Sequence, residues 1–454
     1  MLDPVEIAVV GTGYVGLVSG ACLAARGHSV TLLDVRENIV GQINKGIPTI
    51  HEKNLPELLN RVVCSGNLKA ALATPQALGS SEIVFICVGT PSRDGTMDLS
   101  QIRDAARLVG EWLANVPHFA SVIVKSTVLP GTTDHFVAEI LEKFSGKKID
   151  RAEFGLGMNP EFLREGEAVA DFDNPDRIIF GHENEQTLAV LKRVYSPWDC
   201  DKLAVNSRTA EMIKYANNCL LALQISAANE LANIAVAQGG IDFMDVVKGV
   251  GLDKRWNPII STGRVDPGIL SYLVPGCGFG GSCFPKDVEA MRTHAREAGV
   301  PPRMLQAILD VNAAQPVAIL SPLIHALGND LSGKKILILG LAFKPGTDDV
   351  RESASLKIAR FLIEAGAEVT AHDPVAVPNA CAVLSPGILT LTEDWEHDLK
   401  HFDGVVVATA WPEYESLKNH AAGLRGKIIL DCRRYYNPKD FPDSLFLAVG
   451  MGPK

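Results

Sequence analysis

Ile7-Ala-Val-Val-Gly11-Thr-Gly13-Tyr14-Val15-Gly16, running on through an apolar segment to Ser29-Val-Thr-Leu-Leu-Asp34, is the stretch that decides the fold. Ile7 to Val10 reads as a buried strand, the segment through Ala25 as a helix, and Ser29 to Leu33 as a second strand, which together make a βαβ unit. The spacing Gly11-x-Gly13-x-x-Gly16 places glycines where the chain must turn tightly and where backbone amides must approach a pyrophosphate at a helix N-terminus. Asp34, 18 residues beyond Gly16, can accept from both hydroxyls of a ribose. Its carboxylate repels a 2′-phosphate, which favours NAD over NADP, while Arg36 pulls the other way.

Working outward, the pattern repeats. Apolar runs at Ile83 to Val88 and Ser121 to Val124 each precede a turn and a helical stretch, as in a parallel, doubly wound sheet. This predicts a first domain over 1–205. From Ser207 the texture changes to a long helix whose apolar residues Ile213, Ala216, Leu220, Leu223, Ala227, Leu231 and Ile234 are spaced by three or four. Gly239 and Gly240 end it. A helix of this length bridges domains or packs against its copy, so a helical middle domain over 206–325 and a homodimer or higher homo-oligomer are expected. A second βαβ follows, from Lys335 to Leu339, Ser355 to Glu364 and Glu368 to Asp373. Its first loop lacks the third glycine and is expected to hold something other than NAD, in a third domain over 326–454. The expected fold class is α/β: two Rossmann-like, doubly wound parallel sheets joined by a helical middle domain.

Composition agrees with that reading and narrows the function. A chain of 454 residues has room for about three domains, and 47% hydrophobic with 21% charged residues is ordinary globular composition. The net charge is −10 and no Lys/Arg-rich run stands out, which argues against a nucleic-acid partner. Met1-Leu-Asp-Pro has no basic leader character, and polar residues interrupt every longer apolar stretch, so a cytoplasmic protein without membrane contact is expected. Nine cysteines, an odd number without a CxxC pair, point away from disulfides and from a structural metal. That leaves room for a thiol with a chemical role.

Gly278-Phe-Gly-Gly-Ser-Cys283-Phe-Pro-Lys-Asp287 puts such a thiol just ahead of a helix predicted to start at Pro285. A helix N-terminus and Lys286 both favour the thiolate, so Cys283 is the candidate nucleophile. Lys214 and Asn218, four apart on the long helix, share a face beside its apolar stripe and can both donate to one oxygen. Asn159-Pro160-Glu161 reads as an N-cap and first turn, with Glu165 one turn later.

Taken in order, the dinucleotide turn, Asn159-Pro-Glu-Phe-Leu-Arg-Glu-Gly, Ala210-Glu-Met-Ile-Lys-Tyr-Ala-Asn-Asn, the Cys283 loop and Gly340-Leu-Ala-Phe-Lys-Pro-Gly-Thr-Asp-Asp-Val-Arg-Glu-Ser closely resemble the UDP-glucose/GDP-mannose dehydrogenase family over nearly the whole chain. The resemblance implies oxidation of a sugar C6 alcohol to a carboxylate by two NAD+, with the aldehyde held on Cys283 as a thiohemiacetal and then a thioester. By similarity, Lys214 and Asn218 stabilise the oxyanion, Lys214 also helps deprotonate the alcohol, Asp287 assists through a water, and Glu161 with Thr127 serves thioester hydrolysis. The NAD site would comprise Gly11, Gly13, Tyr14, Val15, Gly16, Asp34, Arg36, Thr90, Thr127 and Glu165.

For the nucleotide sugar the same resemblance implies Glu161, Phe162, Leu163, Lys214, Asn218, Tyr272, Phe279, Gly280, Lys344 and Arg351. Arg255 matches an arginine that reaches the partner subunit's site. The stretch that follows it, Trp256-Asn-Pro-Ile-Ile-Ser-Thr-Gly-Arg264-Val-Asp-Pro, is longer than the family's usual link, so Arg264 is an alternative. UDP-glucose is the favoured substrate. Ser282 departs from the histidine common where UDP-N-acetylated hexosamines are oxidised, and Phe284 departs from the leucine common for GDP-mannose, the runner-up. A non-catalytic nucleotide-sugar sensor would be expected to lack one of Cys283, Lys214, Asn218 and Asp287; all four are present. A two-electron dehydrogenase of small hydroxy acids would need neither a second βαβ nor a cysteine in a glycine loop.

Overall fold

The computed structural model describes residues 3–93, 95–384, 389–397 and 399–453; Met1 and Leu2 of the N-terminal reading lie outside them. The chain divides into two compact units, Met1–Asn217 and Asn218–Lys454.

The first unit is built on eight strands: β1 (Glu6–Val10), β2 (Ser29–Asp34), β3 (Leu68–Leu72), β4 (Ile83–Ile86), β5 (Ser121–Val124), β6 (Gly155–Met158), β7 (Arg177–His182) and β8 (Asp201–Val205). They lie in the order β8-β7-β6-β5-β4-β1-β2-β3. From β3 to β6 every pairing is parallel, and the order 3-2-1-4-5-6 reverses direction between β1 and β4, the switch point at which such sheets bind dinucleotides. Runs such as Val84-Phe-Ile are fully buried because helices cover both faces. The sheet departs from an all-parallel one at β7, which runs antiparallel to β6 with Met158 opposite Gly181. A side chain at Gly157 would lie 2.3 Å from the Gly181 carbonyl, so this close pairing needs a glycine there.

The second unit is built on a six-stranded sheet: β9 (Lys335–Leu339), β10 (Glu368–His372), β11 (Thr390–Leu391), β12 (Gly404–Val407), β13 (Ile428–Asp431) and β14 (Leu445–Ala448). All pair in parallel in the order β11-β10-β9-β12-β13-β14, which repeats the 3-2-1-4-5-6 winding. Asp373 follows β10 as Asp34 ends β2, yet its oxygens are spent on its own turn. It accepts from the Leu341 and Ala342 amides at 2.7 and 2.9 Å and from Trp411 Nε1 at 3.1 Å. A carboxylate so engaged is not offered to a ribose diol, which is the physical reason this turn differs from the first.

The long helix runs Ser207–Gln238 and ends at Gly239 and Gly240, both at positive φ. Part of its apolar stripe is open in the single chain. Leu220, Leu231 and Ile234 of the apolar stripe are 54–58% exposed, while Glu211, Lys214, Tyr215, Asn218, Ala222, Ser226, Asn229 and Ala232 are buried. Small residues on the buried side allow close approach, and two of its polar side chains are tied to other segments: Asn229 Oδ1 accepts from the Gly276 amide at 2.8 Å and Ser226 donates to the Ile308 carbonyl at 3.0 Å.

This helix and the span Arg303–Ala326 are also long and apolar enough, by length and composition, to cross a membrane, which corrects the expectation that no stretch reaches that length. Polar residues at three- and four-residue intervals still leave an apolar average. One of those polar residues, Lys214, is paired inside the protein with Glu161.

Candidate active site

In the first unit the turn after β1 carries the cofactor geometry. Gly11 has φ +97, and a side chain there would meet the Cys87 carbonyl at 2.7 Å; one at Gly16 would overlap the Gly11 carbonyl at 1.9 Å. A side chain at Gly13 would meet nothing within 4 Å, so the middle glycine faces open space at the head of the helix Tyr14–Ala25. That combination leaves room for a diphosphate against the helix N-terminus. Asp34, 6% exposed, accepts from Arg36 through its amide (3.0 Å), Nε (2.9 Å) and Nη2 (3.0 Å), and from Thr12 Oγ1. Burial pushes its carboxyl up, but the Arg36 and Thr12 donors outweigh this and hold it down at about 2. Thr90 donates to the Thr127 carbonyl at 2.9 Å, joining the two loops at the carboxyl ends of β4 and β5.

The Asn159-Pro-Glu segment does not start a helix, contrary to its capping signature; helix begins only at Ala168. Asn159 is committed elsewhere. Its Oδ1 accepts from Lys125 Nζ at 2.8 Å and from Tyr195 at 2.6 Å, and its amide donates to the Ile179 carbonyl at 2.9 Å. Glu161 turns to the long helix, where Lys214 Nζ stands 2.9 Å from its Oε1, and its Oε2 accepts from the Leu163 amide at 2.7 Å. Burial opposes the anion, but Lys214, the Leu163 amide and Lys125 together hold the Glu161 carboxyl below its usual range. Phe162 packs beside this pair, with the Arg177 guanidinium 3.9 Å and Lys214 Nζ 5.5 Å from its ring centre.

Lys125 is a buried cation that sequence reasoning does not single out. Burial lowers its ammonium to about 8, partly offset by Glu161 and Cys87. The only sequence signal is a lysine directly after the apolar run that forms β5. Val15 and Leu163, expected as ligand contacts, are partly buried against one of the unit's hydrophobic clusters, and Tyr14 donates its hydroxyl to Glu52. Glu165 is half-buried on the same loop.

In the second unit Cys283 caps the helix Phe284–Glu297, one residue ahead of the expected start at Pro285. Ser282 Oγ lies 3.6 Å from its sulfur. Lys286 Nζ is 2.7 Å from Asp287 Oδ1, and Asp287 Oδ2 accepts from Asn218 Nδ2 at 2.7 Å. Asp287, 1% exposed, is thus held between the two donors.

The glycine loop ahead of Cys283 is fastened to the loop after β9. The Gly281 amide donates to the Arg351 carbonyl at 2.8 Å, a side chain at Gly280 would meet the Glu352 carbonyl at 2.4 Å, and one at Gly281 would strike the Phe343 ring. Asn312 brackets Phe279, accepting from its amide at 2.8 Å and donating to its carbonyl at 3.0 Å. Lys344 and Arg351 lie on the docked loop, with Arg351 directed at Asp349. Arg433, which no sequence motif marks, reaches this loop from after β13, donating to the Phe343 carbonyl at 3.3 Å and the Ala408 carbonyl at 2.6 Å.

Arg255 is not gathered into this cluster: it is exposed and paired with Asp253, while Arg264 donates to the Asn257 and Leu252 carbonyls at 3.1 Å each. Tyr272 is half-buried in the short turn Gly268–Leu273. Among the described residues no three His, Cys, Asp or Glu side chains gather to hold a metal.

A dinucleotide turn on one doubly wound sheet, a second such sheet, and a cysteine in a glycine loop define a nicotinamide-dependent oxidoreductase. The chain belongs to the UDP-glucose/GDP-mannose dehydrogenase family, matching its NAD binding domain over residues 5–199, its central domain over 208–314 and its UDP binding domain over 337–438. It is similar to the UDP-glucose 6-dehydrogenase AglM of Haloferax volcanii, with 38% identity over 94% of this chain and 96% of that one. It is likewise similar to the UDP-glucose 6-dehydrogenase TuaD of Bacillus subtilis, with 36% identity over 98% and 93%. Among solved structures, a UDP-glucose dehydrogenase from Pyrobaculum islandicum shares 40% identity with a TM-score of 0.89, covering 99% of this chain and 98% of that one. The protein is an NAD-dependent oxidoreductase acting on a nucleotide sugar.

Proposed function

We propose that the protein oxidises the C6 hydroxyl of UDP-glucose to a carboxylate, giving UDP-glucuronate, in two successive two-electron steps. Bound NAD+ supplies the electron acceptor, taking a hydride in each oxidation. Residues 1–205 hold the cofactor, 326–454 the UDP moiety, and 206–325 the thiol loop and the subunit interface.

Cys283 adds to the C6 aldehyde, forming a C–S bond with the proton passing to the carbonyl oxygen, and the thiohemiacetal is oxidised to a thioester that water cleaves to the carboxylate and the free thiol. Lys214 and Asn218, one helical turn apart, donate to the oxygen that gains charge in each step. Lys214, once its ammonium proton has passed to Glu161, turns from that contact to the substrate oxygen and accepts the alcohol's proton, and Asp287 assists through a water. Glu161 and Thr127 activate or hold the water that hydrolyses the thioester, with Glu165 beside the cofactor. Phe162, Leu163, Tyr272, Phe279, Gly280, Lys344 and Arg351 line the nucleotide sugar.

One observation carries this reading. Of nine cysteines, five are buried in the core, while Cys283 stands half-buried at the head of a 14-residue helix, in a loop fixed to the Lys344–Arg351 segment. The exposed leucines and Ile234 of the long helix support a homodimer through that face, with Arg255 or Arg264 reaching the partner, and a cytoplasmic setting accords with the acidic composition.

Offering UDP-glucose, GDP-mannose and UDP-galactose separately, and counting NADH per sugar consumed, tests the proposal. Two NADH with UDP-glucose and no free aldehyde are expected; one NADH with aldehyde release overturns it, and turnover confined to GDP-mannose moves the substrate.

A further inference from the structure

Glu52 belongs to none of the groups assigned so far, yet it is 3% exposed and stands where two working segments of the first unit meet. Its Oε1 accepts from the Ala168 amide at 2.9 Å and its Oε2 from the Gly166 amide at 2.8 Å. Tyr14, the first residue of the helix that follows the dinucleotide turn, donates its hydroxyl to the same Oε2, and its oxygen lies 3.0 Å from the Gly166 amide. Gly166 has φ +85, the left-handed conformation that aims its amide inward and that other residues adopt at a cost. With three donors the oxygens of this buried carboxyl are satisfied, and replacing it by an amide leaves N–H groups facing a weaker acceptor. Burial and Glu52 push the Tyr14 phenol up, so it stays a donor at any working pH.

We propose that Glu52 is a positioning residue: through Tyr14 on one side and the Gly166 and Ala168 amides on the other, it fixes the 161–167 loop, with Glu161 and Glu165, at a set distance from the dinucleotide turn. The hydroxyl of Tyr14 therefore serves this latch, and only the backbone at Tyr14 faces the cofactor. The contribution to turnover rests on the reading of Glu161 given above; the contribution to the turn does not.

The test uses the full-length chain as E52Q and Y14F, with NADH affinity measured directly by fluorescence alongside kcat, the KM for UDP-glucose and the melting temperature. Y14F keeps the carboxylate and both of its backbone donors. We expect it to melt close to the parent, to bind NADH about fivefold more weakly and to lose about tenfold in kcat, with the sugar KM unchanged, since small displacements of positioned groups have effects of that order. E52Q loses more in the same directions. A Y14F variant with NADH affinity and kcat both within about twofold of the parent overturns the proposal, whether or not E52Q folds. Should the chain fail to oxidise UDP-glucose at all, the NADH affinity of Y14F decides alone, which separates this inference from the substrate assignment.

Discussion

Lys214 Nζ and Glu161 Oε1 face each other at 2.9 Å with both side chains under 8% exposed, an ion pair closed off from solvent and joined by the Leu163 amide on the second carboxylate oxygen. Removing one partner of such a pair leaves a buried charge without compensation, at a cost of about 3 kcal/mol or more. Lys214→Met and Glu161→Gln should therefore each lower the melting temperature, and the double variant should lie well above the sum of the two losses. Stability of the double variant equal to or below that sum would show that the pair is not coupled. Activity behaves otherwise: Lys214→Met should cost about a hundredfold or more in kcat, alone or in the double variant, because an oxyanion donor is gone in both.

Cys283→Ser should stop net acid formation. An alkoxide at the head of the same helix is far harder to generate than a thiolate, and a hemiacetal to serine offers no thioester for water to cleave. The first oxidation survives, so the expected product is about one NADH per sugar with aldehyde or an adduct accumulating, a loss of about a thousandfold or more in acid production. Full two-NADH turnover by this variant would remove the sulfur from the mechanism.

Periods and turns are the part of this fold that is legible in the sequence. The glycine spacing and Asp34 locate the dinucleotide turn, and two βαβ units announce two doubly wound sheets, because buried parallel strands appear as uninterrupted apolar runs. Three features escape for physical reasons. The Asn159-Pro-Glu161 segment carries the residues of a helix cap, but long-range partners, Lys125 and Tyr195 for Asn159 and Lys214 for Glu161, outbid the local hydrogen bonds. The inward face of the long helix, made of alanines and paired polar groups, carries no apolar period to read. The pairing of Lys286 with the adjacent Asp287 is marked by no spacing rule. Local propensity describes a segment well only until a buried charge elsewhere needs it.

Asp34→Ala tests the ribose role. Arg36 and Thr12 converge on the carboxylate, which is held ionised down to about pH 2. Its loss removes the acceptor for the ribose diol and frees the Arg36 guanidinium, which then attracts a 2′-phosphate. NAD affinity should fall about tenfold or more, the worth of one charge-assisted hydrogen bond, while NADP improves relative to it. Equal KM values for NAD in parent and variant would place the ribose elsewhere.

Glu211, fully buried on the long helix one turn before Lys214, accepts from the Gly131 and Thr133 amides at 2.7 and 2.8 Å and so anchors the loop that follows Thr127. Those donors favour its anion, but burial outweighs them and raises the carboxyl from 4.5 to about 7. The sign follows from proton binding. Between about pH 4.5 and 7 the folded chain keeps a proton that the unfolded chain has released, so folding stability falls as pH rises across that window and levels off above it. At most about 3 kcal/mol is at stake, the shift multiplied by 1.36 kcal/mol per pH unit. Glu211→Gln carries no such proton, so its melting temperature should change less than the parent's between pH 5 and pH 7.5. Parallel pH profiles for the two proteins would mean that another group titrates there and that Glu211 remains an anion in the folded chain.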